Sequence, residues 1–406
     1  MSSRSFSIKG KGIKFDTKAD IEPYLKQILD IPGGVEEIHF GGNTLGVEPC
    51  VALAETLKQV DTLKVADFAD IFTGRLISEI PLALQALCDA LVDKPSLVEL
   101  DLSDNAFGGR SAEPMVNFLT NNRTFSILRL QNNGLGIWGG TTVANALLES
   151  AKLSEKEGKK SNLRVVVCGR NRLENGSAPF FAEAFAAHKT LREVVMPQNG
   201  INKEGIQVLA TGLANCPDLE VLDLQDNTAT ESGTRAVALA LPKWKNLLTL
   251  NLSDCLLSAK GGIALATALN NGATPKLETL RLQYGEFDKR AINLLASAIS
   301  THMPSLSRLE INGNKADPED ECIQNVKDAL EKNGFPEALD ELDDMEDADE
   351  DDEEESAAVE EAEEIDKKEA EAEDTPAPAP SLTAPATLDP TDELASLMGK
   401  VNISTA

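Results

Sequence analysis

Leucine, a polar residue and leucine again, followed three places later by a turn residue, recur along most of this chain. Clear copies are Leu100-Asp101-Leu102 with Asn105, Leu128-Arg129-Leu130 with Asn133, Leu222-Asp223-Leu224 with Asn227, and Leu250-Asn251-Leu252 with Cys255. Apolar residues on either side of one exposed residue predict a short strand with one buried face. The closing position falls at Asn43, Ile71, Asn105, Asn133, Asn171, Asn199, Asn227, Cys255, Gly285 and Asn314, at intervals of 28, 34, 28, 38, 28, 28, 28, 30 and 29 residues. Between strands the spacing turns helical. After Asn199-Gly200 come Ile201, Ile206, Val208, Leu209 and Leu213, and Asn215-Cys216-Pro217 ends the run before the next strand.

A period near 28 built on L-x-L-x-x-N lies in the leucine-rich-repeat range of about 20–29 residues. The expected fold class is α/β: a leucine-rich-repeat horseshoe, a right-handed β-α solenoid with parallel strands inside and helices outside. Helices need more room than strands about 4.8 Å apart, so such an array bends. The turn asparagines are expected to bond neighbouring turns and so satisfy buried backbone groups. Ile71, Cys255 and Gly285 break that series, and the second repeat (Ala66 to Arg75) also lacks its first leucine. The long intervals place insertions near 71–81 and 150–162, the second read as a polar surface loop, Ser154 to Lys160.

Residues 1–34 read as an N-terminal cap: a strand or hairpin around Phe6-Ser7-Ile8 and Ile13 to Phe15, then a helix from Asp20. The solenoid spans 35–318 and a capping helix lies in 319–338, because an end repeat would otherwise leave its core in water. An acidic tail is expected over 339–375 and a Pro/Ala-rich tail over 376–406, both disordered. Within the second, Glu393 to Met398 is a short amphipathic patch that either docks a partner or does nothing specific.

The formal charge of −29 divides unevenly, −6 over residues 1–336 and −23 over 337–406. Neither part offers a basic stripe for phosphates, so nucleic acid is not an expected ligand. No apolar run approaches the roughly 18 residues that span a bilayer, and the N-terminus carries no apolar signal segment. The six cysteines, at 50, 88, 168, 216, 255 and 322, form no CxxC pair and read as reduced core residues of a cytosolic protein. The Asn-x-Ser/Thr matches at Asn122 and Asn175 then carry no glycan.

No phosphate-binding glycine loop is present, and the three histidines are scattered. The chain is therefore expected to bind a macromolecule rather than to act as an enzyme, with no metal or cofactor of its own. The polar position of each L-x-L should face the inner surface: Asp101, Arg129, Val167, Val195, Asp223, Asn251, Arg281 and Glu310. That row has no apolar patch, which implies a polar partner. Residues just before the turns should line one rim: Asp70, Asp104, Asn132, Arg170, Gln198, Asp226 and Asp254. Three nearby repeats stand apart there, through Asp70 with Arg75, through Asn132, and through Arg170-Asn171-Arg172-Leu173-Glu174-Asn175-Gly176.

Several of these stretches resemble the Ran GTPase-activating protein family: Asp70-Ile71-Phe72-Thr73-Gly74-Arg75, Leu102 to Gly108, Asn132-Asn133-Gly134-Leu135-Gly136, Cys168 to Gly176 and Leu222 to Asn227. The resemblance runs over residues ~5–345 and includes the acidic junction Leu339 to Met345. It is closest in kind to the short, fungal-type members, without the large C-terminal domain by which animal members attach to nuclear pores.

What the resemblance implies is a monomer that binds Ran carrying GTP, alone or with a Ran-binding protein in a ternary complex. It would speed hydrolysis by Ran itself in the cytoplasm or its perinuclear part, during nucleocytoplasmic transport. GTP and Mg²⁺ stay on Ran. The family works without an arginine finger, so Asn132 takes the catalytic role of orienting Ran's own glutamine. The other reading of Asn132 is an extra turn hydrogen bond. Asp70, Arg75, Asp101, Asp104, Arg129, Arg170, Arg172, Asn175, Asp223 and Asp226 are the expected partner-binding residues. For Arg75 three roles stay open: interface, finger, or an ion pair with Asp67 or Asp70. The acidic tail either steers a basic partner or only solubilises the chain. The rival function is a repeat scaffold or inhibitor that clamps a protein without changing its chemistry.

Overall fold

Each leucine pair produces a strand of only three residues, because the chain turns as soon as its second leucine is buried. The computed structural model describes residues 4–346. Its strands, in chain order, are β1 (Ser5–Ser7), β2 (Lys14–Phe15), β3 (Glu37–His39), β4 (Thr44–Leu45), β5 (Val65–Asp67), β6 (Glu99–Asp101), β7 (Ile127–Arg129), β8 (Val165–Val167), β9 (Glu193–Val195), β10 (Val221–Asp223), β11 (Thr249–Asn251), β12 (Thr279–Arg281) and β13 (Arg308–Glu310). All but β2 and β4 join one parallel sheet in sequence order. The register keeps like positions side by side, Leu100 with Leu128 and Leu128 with Val166. The middle residue of each strand is buried while its neighbours are generally half exposed, as in Glu99-Leu100-Asp101.

Helices pack over the other side of the strands, among them Val47–Leu57, Ile80–Leu91, Gly136–Lys156, Glu174–His188, Lys203–Leu213 and Glu321–Lys332. The core is one continuous layer of buried leucines between sheet and helices. This is the leucine-rich-repeat solenoid. The insertion near 150–162 is not simply a loop. The helix runs on through Lys156, so Ser154, Glu155 and Lys156 are helical and only Glu157 to Lys160 follow it.

The turn asparagines form a ladder of side-chain bonds. The Asn105 N–H donates to Asn133 Oδ1 (2.8 Å), Asn133 to Asn171 (3.0 Å), Asn171 to Asn199 (2.9 Å) and Asn199 to Asn227 (3.2 Å). Each carboxamide also donates back one repeat, as Asn133 Nδ2 does to the Leu102 carbonyl at 3.0 Å. Where cysteine replaces asparagine, half of this survives: Cys255 Sγ reaches the Leu224 carbonyl at 3.2 Å, in the role of the donor.

At the N-terminus the cap adds strands rather than a hairpin: β1 pairs parallel with β3, and β2 parallel with β4. Its helix is Lys18–Leu29, and the Asp20 carboxylate accepts from the Thr17 N–H at 2.8 Å. At the other end the boundary drawn at 339 falls inside packed chain. Leu309 N–H donates to the Ala338 carbonyl (2.7 Å), Asp340 N–H to Leu309 (2.9 Å) and Glu346 N–H to Asn314 (2.9 Å). Asp340 also accepts from the Ile311 N–H at 3.0 Å. Residues 338–346 thus cover the last sheet edge, because Leu339-Asp340 continues the strand pattern that the acidic count obscured. The remainder of the acidic tail from residue 347, the Pro/Ala tail and the Glu393–Met398 patch lie outside the described residues.

Candidate functional site

Two rows of side chains line the strand side of the solenoid. The third residue of each strand forms one row, in register from His39 through Asp67, Asp101, Arg129, Val167, Val195, Asp223, Asn251 and Arg281 to Glu310. The sequence reading began this row at Asp101, because the second repeat lacks its first leucine and Asp67 was not counted with it. Asp67 is in fact the most elaborately held carboxylate of the face. It accepts from Lys9 Nζ (2.8 Å) and the Ala69 N–H (3.1 Å), and faces His39 Nδ1 at 3.2 Å. Burial works against its charged form, and these partners outweigh burial and hold its carboxyl below the usual range.

Further along, Asp101 accepts from the Ser103 N–H at 2.8 Å, and burial still raises its pKa. Arg129 donates to Glu99 at 2.8 Å. Asp223 accepts from the Gln225 N–H at 3.0 Å and from Asn251 Nδ2 at 3.1 Å. The expectation of no apolar patch does not hold. The first residues of the strands were not read, and they bring Ile127, Val165 and Val221 beside Val167 and Val195, all half-buried around Glu193. The middle of this face is aliphatic and its flanks are charged.

The rim row is defined by backbone. Asp70, Asp104, Asn132, Arg170, Gln198, Asp226, Asp254 and Tyr284 all have φ between 50° and 60°, and Gly42 and Gly313 stand in the same slot at 72°. A left-handed residue costs an L side chain about 1–2 kcal/mol. Here the slots from Gly42 to Tyr284 are each held by a backbone bond to the next repeat, such as Asp104 N–H to Gln131 O (2.8 Å) and Asn132 N–H to Gly169 O (2.9 Å). With the backbone so occupied, Asp104, Asn132, Arg170, Gln198 and Asp226 stand exposed along one edge.

Within that edge Asn132 Nδ2 donates to Asp104 Oδ1 at 3.0 Å, and Gln198 Nε2 to Asp226 Oδ2 at 2.8 Å. Asp70 instead accepts from Thr73 Oγ1 in its own loop at 2.5 Å. Arg172 is exposed, also at positive φ. Asn175 is turned into the next repeat, accepting from the Asn202 N–H at 2.8 Å and donating to Glu204 at 3.1 Å.

Arg75 is not paired with Asp67 or Asp70. Its guanidinium donates to Asp16 Oδ1 (2.6 Å), to the Phe15 carbonyl (2.7 Å) and to the Thr44 carbonyl (3.1 Å), with 9% of the side chain exposed. It ties the second repeat to the cap. The residues that follow it are open: Leu76 and Ile77 are 67% and 69% exposed, and Trp138, in the first turn of the helix that follows Asn132, is 56% exposed. These apolar side chains follow Asp70 and Asn132 closely in the chain and were missed, since single exposed apolar residues leave no periodic signal.

The six cysteines are buried free thiols. Burial pushes Cys168 and Cys255 up to about 12, which leaves them unreactive. Among the described residues, no group of three or more His, Cys, Asp or Glu is placed to hold a metal, and no helix is long and apolar enough to cross a membrane. A groove of about 350 Å³ between helices Lys289–His302 and Glu321–Lys332 belongs to the helical side, not to the rim.

Comparison with known proteins agrees with the repeats. A family described as Leucine Rich repeat matches residues 93–116 and 245–266. Ran GTPase-activating protein 1 of Xenopus laevis is 43% identical over 190 residues, 46% of this chain and 33% of that protein. Its namesake in Saccharomyces cerevisiae is 36% identical over 187 residues, 45% of this chain and 46% of that protein. This chain is similar to the Ran GTPase-activating proteins. The aligned part spans less than half the length of each of these relatives, and the frog and yeast identities do not single out a fungal type. Among solved structures, the leucine-rich repeat-containing protein LegL7 of Legionella pneumophila matches at 16% identity and a TM-score of 0.38, over 76% of this chain and 94% of that one. That likeness is too loose to carry an argument.

Proposed function

We propose that this protein is a GTPase activator for Ran, acting in the cytoplasm during nucleocytoplasmic transport. The observation that carries the reading is Asn132: an exposed carboxamide, held in a left-handed turn on the rim, in a chain 36–43% identical over about half its length to proteins named for this activity. A GTPase already holds GTP and Mg²⁺, so what remains to be supplied is the ordering of its water-positioning glutamine and the exclusion of bulk water. Asn132 holds that glutamine, with no arginine inserted. Asp70, Arg170, Arg172 and Asp226 form the charged border of the contact, and Asp101, Arg129 and Asp223 extend it onto the strand side. Arg75 and Asn175 shape this surface from behind rather than touching the partner, since both are engaged within the chain. A Ran-binding protein joins as a third component, and the acidic tail raises the association rate with a basic partner.

The test is phosphate release from Ran·GTP with substoichiometric protein. Turnover supports the reading. Binding at one-to-one stoichiometry without faster hydrolysis replaces it with a scaffold or inhibitor. In single-turnover assays at saturating activator, Asn132→Ala is expected to lower kcat about 10²-fold, the scale of a misplaced reacting group, with KM little changed.

A further inference from the structure

The Asn132 amide reaches one repeat back, 28 residues, to donate from Nδ2 to Asp104 Oδ1 at 3.0 Å. A carboxylate accepts hydrogen bonds and has none to give at neutral pH. The group facing Asp104 is therefore the NH₂ of Asn132, and its Oδ1 points the other way. Without such a neighbour the two ends of a carboxamide are nearly equal in shape, and its terminal torsion is broad and roughly two-fold. The turn backbone cannot make the choice either, because the Asn132 N–H is taken by Gly169 O and the Asp104 N–H by Gln131 O. Among the described rim residues, no other carboxamide reaches back one repeat to a carboxylate. Asp70 is bonded to Thr73 in its own loop, and Gln198 points forward to Asp226 rather than back.

We infer that Asp104 is a positioning residue, whose carboxylate decides which end of the Asn132 amide meets the partner. The inference rests on the GTPase-activator reading above. A partner glutamine offers an NH₂ and a carbonyl. Asn132 Oδ1, turned outward, accepts from that NH₂ and leaves the glutamine carbonyl free to accept from the attacking water. A flipped Asn132 would set NH₂ against NH₂, or turn the glutamine so that its carbonyl no longer faces the water. Asp104 thus acts through Asn132 and touches neither water nor phosphate. Its worth rises as the partner covers the rim, since the bond then loses its competition with solvent.

The decisive variants are Asp104→Asn and Asp104→Gly, because both residues tolerate a φ of 60°, so loss of folding is not expected to mask the result. Asparagine keeps the shape but can face Asn132 with either end, and glycine removes the partner altogether. Saturating kcat for stimulated hydrolysis is expected to fall about five- to fifty-fold in both, with KM within about threefold; one hydrogen bond to a charged group is worth roughly this much. Asp104→Glu, again acceptor-only, is expected to recover part of the loss. In an Asn132→Ala background, Asp104→Gly should cost nothing further. A readout independent of activity is the side-chain ¹H–¹⁵N pair of Asn132, assigned by its absence in Asn132→Ala, which should move and exchange faster in Asp104→Gly.

A rise in KM alone makes Asp104 a direct partner contact and overturns the inference. A further loss of kcat in the Asn132→Ala background, or an unmoved Asn132 amide signal, overturns it too. If the unaltered protein stimulates no hydrolysis at all, the functional reading has failed; normal stimulation with an indifferent Asp104 fails only the positioning role.

Discussion

Arg75 and Asp16 are 59 residues apart in the chain and 2.6 Å apart in space. The same guanidinium closes on two backbone carbonyls, at Phe15 of the cap and Thr44 of the first repeat, and draws the Asp16 carboxyl below its usual pKa. A side chain held this way cannot swing out as a finger without releasing the N-terminal unit.

Arg75→Ala should therefore loosen the cap. Removing one charge-assisted bond and two bonds to backbone costs about 1–3 kcal/mol, read as a lower urea midpoint and faster amide exchange around Gly46. KM for Ran·GTP should rise several-fold while kcat stays within about threefold, and Asp16→Ala should move both in the same direction. A loss of about 10³-fold in kcat would instead assign the arginine to transition-state charge.

Two adjacent asparagines should behave oppositely. Asn133 is fully buried and bonded to Asn105 N–H and Leu102 O, so Asn133→Ala strands two buried groups and costs about 2–4 kcal/mol. Asn132→Gly, at an exposed positive-φ site, should change stability by less than about 0.5 kcal/mol and still abolish most of the stimulation. Denaturant titration and phosphate release on the same two preparations separate them.

The chain has two tryptophans. Trp244 is buried, its Nε1 donating to the Leu213 carbonyl at 2.9 Å, whereas Trp138 is exposed in the first turn of the helix that follows Asn132. A partner seated on that edge should shift or quench Trp138 emission. Trp138→Phe should abolish the signal, and an emission change that survives in Trp138→Phe would move the contact elsewhere.

His188 predicts a pH dependence of folding. It is buried between the Ser161 hydroxyl (2.6 Å from Nδ1) and the Leu147 carbonyl (2.8 Å from Nε2), and burial pushes its pKa down to about 4. The carbonyl can only accept, so Nε2 carries the proton and Nδ1 accepts from the serine. Between the unfolded value of about 6.5 and 4 the unfolded chain binds the extra proton and the folded chain does not. Stability is therefore complete above about pH 6.5 and falls as pH drops toward 4, by up to about 3 kcal/mol. His188→Gln should flatten that part of the unfolding free energy against pH; an unchanged slope would refute the assignment.

The repeat period, the strand–turn–helix unit, the asparagine ladder and its defects at Ile71, Cys255 and Gly285 could all be read from the residues, because each depends on contacts within a repeat or to its neighbour. The rim row was legible too, partly for a reason visible in retrospect: Gly42, Asp70, Asp104, Asn132 and Gly313 are residue types that accept a left-handed turn. What tertiary structure alone decided was pairing across repeats and ends. It turned Arg75 toward Asp16, set Asn132 against Asp104, gathered Ile127, Val165, Val167, Val195 and Val221 into an aliphatic patch, and folded Leu339 to Glu346 onto the last strand. Apolar period follows from backbone geometry, which is local and repeats. A polar side chain's partner depends on which distant groups the stacking brings within about 3 Å, and no spacing along the chain encodes that distance.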